Sequence, residues 1–324
     1  MTADPSVDAA DRSAPTFVAG HRGLVGSAIW RRLQSDGFSD LRGEASADLD
    51  LRDRDRVFDY FRRTSPRYVM LAAARVGGIA ANASRPVEFL SDNLRIQTNV
   101  MDAALDVRVE RLLFLGSSCI YPRLAPQPIR EDSLMTGPLE STNEAYALAK
   151  IAGIGLVQAV RRQHGLRWIS AMPTNIYGPG DNFDPTGSHV LPALIRRYWE
   201  ARNADADRVV NWGTGSPRRE FLHSDDLADA CLRLLDVYDE DSHINVGTGT
   251  DSTIREIADL VAEVVGYRGA SEWDSSRPDG TPRKVLDVSR LAALGWSPSI
   301  GLRDGLESTV EWFEQDPSCA LARG

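Results

Sequence analysis

The sequence predicts an α/β fold: a doubly wound parallel sheet over residues 16–188, followed by a smaller C-terminal α/β lobe over residues 189–324. Two observations carry the prediction. Short, nearly continuous apolar runs recur at residues 17–19, 68–73, 112–115 and 168–172, as expected of strands covered on both faces. Stretches with helical spacing alternate with them at residues 24–33, 54–63, 87–107 and 146–164, and that alternation specifies parallel strands with helical crossovers. The second part is less regular. Helices are expected over residues 190–201, 224–238 and 253–266, a strand over 242–246, and a Pro/Gly-rich loop over 275–282. A segment near residues 220–250 is expected to return to the first domain. Residues 1–15, rich in Asp, Ala, Ser and Pro and without an apolar stretch, are expected to form a disordered tail.

The first run meets glycines at Gly20, Gly23 and Gly26, spaced G-x-x-G-x-x-G with His21, Arg22, Leu24 and Val25 between them. Glycine there permits turns and close approaches that a Cβ would block, and the helix N-terminus that follows offers free N–H groups to a pyrophosphate. The position of the turn after the first strand marks a Rossmann-type dinucleotide site. An acidic residue about 20 positions further on favours NAD, whereas arginine favours a 2′-phosphate. Glu44 stands near that point, but so does Arg42, and Arg22 lies in the turn itself. The balance favours NADP over NAD.

Composition narrows the class of function. The 324 residues are 42% hydrophobic and 26% charged, enough apolar material for a large core without disulfides or structural metal. A net charge of −9 opposes nucleic-acid and membrane-surface binding, though a few local cations could still seat a small anion. The three cysteines (Cys119, Cys231 and Cys319) have no metal-type spacing, and an odd number fits a reducing, cytoplasmic setting.

Tyr146 and Lys150 are four residues apart and so share one face of a helix. An ammonium beside a phenol is expected to lower its pKa and make it a usable proton donor. Gly116, Ser117 and Ser118 follow the strand ending at Leu115, at the carboxyl edge where doubly wound sheets bind ligands. A serine hydroxyl there can hydrogen-bond a substrate carbonyl beside the tyrosine.

Glycine turn, serine and Tyr-x-x-x-Lys in this order resemble the extended short-chain dehydrogenases/reductases. The runs Leu115-Gly116-Ser117-Ser118-Cys119-Ile120-Tyr121-Pro122, Met172-Pro173-Thr174-Asn175, Ser188-His189-Val190, Arg219-Glu220-Phe221-Leu222-His223 and Asp279-Gly280-Thr281-Pro282-Arg283-Lys284 narrow the similarity to the GDP-L-fucose synthase family. The resemblance runs from about Thr16 to Trp312. It implies NADPH-dependent conversion of GDP-4-dehydro-6-deoxy-D-mannose to GDP-L-fucose, by epimerisation at C3 and C5 and then reduction at C4. It further implies that Ser117, Tyr146 and Lys150 form the reductase triad and that Cys119 and His189 are the epimerisation acid/base pair. Gly20–Gly26, Arg42, Leu115–Ser118, Lys150, Pro173, Thr174, Asn175, Ile176 and His189 would line the cofactor. Arg197, Trp212, Arg219, Asp279 and Lys284 would bind the GDP-sugar, in a homodimer without metal.

The chemistry needs such residues. A 4-keto group acidifies C3–H and C5–H, so an epimerase must place a proton acceptor and a donor on opposite faces of the sugar. A thiol and an imidazole both titrate near neutrality when perturbed. Ser117 and Tyr146 could steady the enolate and the later alkoxide on the same C4 oxygen. Some choices stay open at this level. Arg196 stands beside Arg197 and Arg218 beside Arg219, with no pattern to choose within either pair. His21 reads as shaping the cofactor turn, His223 as a weaker candidate near the guanine, and His164 and His243 as surface or structural. Rival readings are a plain NDP-sugar 4-ketoreductase or epimerase on the same scaffold, or a non-catalytic dinucleotide sensor. A 4,6-dehydratase is disfavoured because the residues after Ser117 are Ser118 and Cys119, not acids.

Overall fold

The computed structural model describes residues 9–185, 187–277 and 279–315. Cys319, Thr186, Pro278 and the first eight residues of the expected tail lie outside the described residues. The first half runs β1 (Thr16–Ala19), α1 (Leu24–Ser35), β2 (Leu41–Arg42), α2 (Arg54–Thr64), β3 (Tyr68–Leu71), α3 (Ile79–Ser84), α4 (Pro86–Asp106), β4 (Arg111–Leu115), α5 (Glu144–His164), β5 (Arg167–Pro173) and β6 (Asn175–Tyr177). The remainder runs α6 (Val190–Asn203), β7 (Arg208–Trp212), β8 (Arg218–Arg219), β9 (Phe221–His223), α7 (Ser224–Val237), β10 (Ile244–Val246), β11 (Ser252–Thr253), α8 (Ile254–Val265), β12 (Ala270–Asp274), β13 (Arg283–Lys284), α9 (Ser289–Ala293) and α10 (Leu302–Gln315).

Six strands form one parallel sheet in the order β10-β5-β4-β3-β1-β2. β1, β3 and β4 are buried along their whole length, as largely apolar strands covered on both faces should be, while the edge strand β2 is half-buried. One face packs against α1 and α7 through Val18, Ile29, Leu33, Leu227 and Leu234. The other packs against α2, α4 and α5 through Val57, Phe61, Val100, Phe114 and Val157. Strand order reverses between β1 and β3, so the crevice beyond their carboxyl ends is the expected ligand site. A Cβ on Gly20, whose φ is +84°, would lie 2.9 Å from the backbone of Ala73 in the loop after β3.

Three smaller sheets follow: β11-β8-β13, the parallel pair β7-β12, and the parallel pair β6-β9. A third core, built from Leu194, Ile195, Tyr198, Trp199, Ile257, Val261, Leu306 and Phe313, joins α6, α8 and α10. α8 starts at a reciprocal cap in which Thr253 and Glu256 satisfy each other's backbone N–H, and it ends at Gly266 with φ +78°.

One expectation fails at the N-terminus. Residues 9–15 are not a loose tail: Ala10 and Ala14 are buried, and Arg12 pairs with both Asp236 and Asp36 at 2.7 Å. Composition reads this stretch as polar and uncommitted, but the carboxylates that hold it are more than twenty residues away. No helix of the described residues is long and apolar enough to cross a membrane.

Candidate active site

The glycine turn closes tightly enough to form a cradle. A Cβ on Gly26 would fall 2.0 Å from the Gly20 carbonyl oxygen, so only glycine lets α1 start this close to β1. His21 lies against Trp30, 5.4 Å between rings, and its Nδ1 is buried without a partner. Gly43 is bare because a Cβ there would sit 2.6 Å from that imidazole. His21 thus shapes the floor of the turn. The cradle and the orphaned nitrogen fit a dinucleotide.

Arg42, expected at the 2′-phosphate, is held here by groups of the chain itself. Its guanidinium holds Asp40 through Nε at 2.8 Å and Nη2 at 2.6 Å, and its remaining nitrogen Nη1 donates to the Thr64 carbonyl. The exposed Arg22 is the cation left at this end of the turn.

At the end of β4, Gly116 is hydrogen-bonded to Ala171 on β5, and a Cβ on it would strike the Met172 sulfur. Ser117 and Cys119 follow, the Cys119 N–H donating to Ser117 Oγ at 3.3 Å, with Ser118 buried between them. Lys150, buried on α5, donates to the Leu115 carbonyl at 2.8 Å and lies 5.7 Å from the Tyr146 ring centre. Burial drives the Lys150 pKa down to about 8. The expected lowering of the Tyr146 phenol does not occur. Burial pushes it well above its usual value, with the charge of Cys119 adding to the effect.

The Cys119 thiol is likewise raised by burial. Lys284, a hydrogen bond from Ser117, and Lys150 act against that rise. Lys284 arrives on β13 and Lys150 on α5, so cations from two separate elements act on one thiol. His189 caps α6 at the end of the loop that begins after β6. That loop is fixed to the segment after β3: Gly78 N donates to the Gly187 carbonyl at 3.0 Å, and Gly78 has no room for a Cβ against Ser188 O. Gly77 in turn faces Phe89, whose ring meets Tyr146 edge-on at 6.5 Å. Although His189 opens to solvent at its edge, the protein mass around its imidazole lowers its pKa.

Both arginine ambiguities resolve. Arg196 is occupied by Glu200 and the Phe183 carbonyl, whereas Arg197 has the neutral amide oxygen of Asn211 at 3.0 Å. Arg218 binds the buried carboxylate of Asp251 at 3.0 Å, whereas among the described residues Arg219 donates to the Arg218 carbonyl at 2.8 Å. Burial lowers the pKa of Arg197, Arg219 and Lys284, outweighing the carboxylates near them: Glu200 at Arg197, Glu140 and Asp279 at Arg219, and Glu220 and Glu140 at Lys284. Lys284 pairs in register with Arg219 across β13 and β8.

The other expected residues are placed as follows. Trp212 ends β7 and is 66% exposed, with the Arg277 guanidinium 5.2 Å from its ring centre. Asp279 is engaged: its two oxygens accept from the backbone and hydroxyl of Thr214 at 2.9 and 2.7 Å. Pro173 closes β5, Thr174 N bonds to the Val246 carbonyl, and Asn175 Nδ2 donates to the Glu220 carbonyl at 2.7 Å, with Ile176 next on β6. His223 is closed off from solvent. It is buried, accepts from Asp225 N at 3.2 Å to start α7, and packs on Tyr177. His243 is buried against the Tyr121 hydroxyl at 3.1 Å, a structural role. Two acids went unread in the sequence, Glu140 and Glu220, both close enough to act on the Lys284 charge. Glu220 left a signal, a lone acid between Arg219 and the apolar Phe221-Leu222. Glu140 left none.

A family model described as the NAD dependent epimerase/dehydratase family matches residues 16–247. The chain is 59% identical over 303 residues to GDP-L-fucose synthase 1 of Arabidopsis thaliana, covering 94% of each chain. It is 52% identical over 306 residues to the GDP-L-fucose synthase of Escherichia coli, covering 92% of this chain and 95% of that one. Its fold superposes on a GDP-L-fucose synthetase from Naegleria fowleri bound to NADP with a TM-score of 0.89 at 26% identity, over 97% of this chain and 98% of that one. The chain belongs to the NAD dependent epimerase/dehydratase family and, within it, groups with the GDP-L-fucose synthases.

Proposed function

We propose that this chain converts GDP-4-dehydro-6-deoxy-D-mannose to GDP-L-fucose, epimerising C3 and C5 and then reducing C4 with NADPH. The observation that carries the reading is the convergence on Cys119: Ser117 beside it, with Lys150 and Lys284 acting on its thiol from two separate elements. The Gly20–Gly26 turn would hold the pyrophosphate of NADPH, Arg22 its 2′-phosphate, and Lys150 its nicotinamide ribose. NADPH supplies the hydride that reduces C4.

Every other step belongs to the chain. Burial of the Cys119 thiol favours its protonated form, and desolvation around the His189 imidazole favours the neutral ring. The pair therefore holds one proton to deliver and one site to accept, the requirement for inverting a carbon acidified by the adjacent ketone. When C3–H or C5–H is removed, the electron pair moves onto the C4 oxygen, where the Ser117 and Tyr146 hydroxyls stabilise the enolate. A proton returned to the opposite face completes each inversion. In the reduction, Tyr146 gives its proton to the same oxygen as it becomes the alkoxide. Its raised pKa favours the protonated donor form beforehand. Arg197, Arg219 and Lys284 hold the diphosphate, and Trp212 lies beside the guanine.

A homodimer belongs to the same reading. Val87 on α4 and Leu148 on α5 are 72% and 46% exposed, apolar positions on helices that pack together. So does a cytoplasmic setting, consistent with the free thiols of Cys119 and Cys231. The test is NADPH oxidation with the 4-keto sugar nucleotide in deuterated water, followed by NMR of the product. Deuterium at C3 and C5 with an L-configured product is expected. Reduction without deuterium would leave a 4-ketoreductase and remove Cys119 and His189 from the chemistry.

A further inference from the structure

Glu220 interrupts the chain between β8 and β9, and its side chain is fully buried. Its Oε1 accepts from Thr248 N at 2.6 Å, Gly249 N at 2.7 Å and Thr248 Oγ1 at 3.3 Å. Its Oε2 accepts from Leu286 N at 2.9 Å. The Glu220 carbonyl also receives Asn175 Nδ2 and Thr174 Oγ1. One residue thus ties the loop after β10, the chain just beyond β13, and the junction of β5 and β6. The surroundings are shaped around it, since a Cβ on Gly247 would lie 2.3 Å from Oε1.

A buried carboxylate satisfied by backbone amides is costly to keep ionised, and burial indeed pushes its pKa up against those hydrogen bonds. It sits directly after Arg219 in sequence, and the amide it grips is two residues beyond Lys284. We propose that Glu220 is the positioning residue of the diphosphate seat, fixing Arg219 and Lys284 in register and supplying the negative charge that lets two cations share it. The inference rests on the reading that those two cations hold the GDP diphosphate. The balance of charges at Lys284 supports it. Burial and Arg219 depress that ammonium, while Cys119, Glu220 and Glu140 oppose the depression.

The test is calorimetric titration of the full-length chain with GDP, GMP and NADPH, alongside steady-state kinetics. In Glu220→Gln the amide keeps the shape but loses the charge and turns donors toward donors. GDP is expected to bind on the order of tenfold more weakly. GMP should be affected less and NADPH unchanged, and KM for the sugar nucleotide should rise more than kcat falls. In a Lys284→Ala background Glu220→Gln should add little further loss of GDP affinity. Gly247→Ala displaces the carboxylate without altering Glu220, so it should give the same pattern and keeps the test available if Glu220→Gln does not fold. GDP affinity within about twofold of the parent in either folded variant would overturn the inference. If that happens while Arg219→Ala and Lys284→Ala still weaken GDP, the diphosphate reading stands and only the role of Glu220 is lost. If those two cation variants bind GDP normally, the diphosphate reading fails and the inference with it.

Discussion

Removing Arg219 tests whether the structure has separated two adjacent arginines correctly. Arg218 donates to Asp251 through Nε at 3.0 Å and to the Asp251 carbonyl at 2.8 Å, and Asp251 also keeps Arg283 at 2.5 Å. Among the described residues Arg219 has a single bond, to the Arg218 carbonyl, and its half-buried guanidinium has a pKa lowered by desolvation. Hydrogen bonds to charged groups contribute ~1.5–3 kcal/mol each. A guanidinium gripping phosphate through two of them then represents about 3 kcal/mol, on the order of 100-fold in GDP affinity. Arg218→Ala should instead lose a half-exposed ion pair worth ~0–1 kcal/mol to stability, with GDP affinity changed by less than about threefold. Titration calorimetry with GDP and thermal unfolding of both variants reads the two effects apart. Equal losses of GDP affinity, or a larger loss in Arg218→Ala, would refute the assignment.

Other outcomes follow from the same geometry. In deuterated water Cys119→Ser should stop deuterium entering C3 and C5 of the sugar, and undiminished exchange would sink its acid/base role. Lys150 titrates near pH 8, so it is charged below that value and neutral above it. The pH profile of kcat/KM should fall through pH 8 on the alkaline side, and a profile flat to pH 10 would contradict it. The unfolded chain binds this proton up to about pH 10.4, so between the two values it holds more protons than the folded one and the Lys150 contribution to stability rises with pH. Lys150→Met should accordingly raise the melting temperature, by on the order of 1–3 kcal/mol of stability, while abolishing reduction; a lower melting point would count against a destabilising buried ammonium. Arg22→Ala should cut the preference for NADPH over NADH by roughly tenfold, with Arg42→Ala leaving it nearly unchanged. An Arg42 effect as large as that of Arg22 would show that Asp40 releases it.

The parallel sheet and its helices were legible because their signals are local. Apolar runs at β1, β3, β4 and β5 and helical spacing between them follow from burying each element on its own. Helix starts and ends matched to within a few residues, and the Thr253 cap and Gly266 stop are written into the sequence. β7 and β12 were missed because they form only by pairing with each other, Arg208 with Ala270, with three of the five β7 residues exposed and none of β12 buried. β13 is two residues long and exists only through its pairing with β8. The anchoring of residues 9–15 was invisible because Arg12 is held by Asp36 and Asp236, which no local pattern connects.

At the site, residue type and spacing identified Gly20, Ser117, Tyr146 and Lys150, since a tight turn, a strand end and one helix face are fixed by the chain itself. Which arginines are free, what Arg42 holds, and where the charge of Glu220 lies were decided by tertiary structure. Whether a cation is available depends on carboxylates brought to it by other elements: Asp251 claims Arg218, Glu200 claims Arg196, and Asp40 claims Arg42. The pKa directions have the same origin. Sequence places Lys150 one turn from Tyr146, but only the packed interior sets how much desolvation each must bear, and here burial outweighs their proximity.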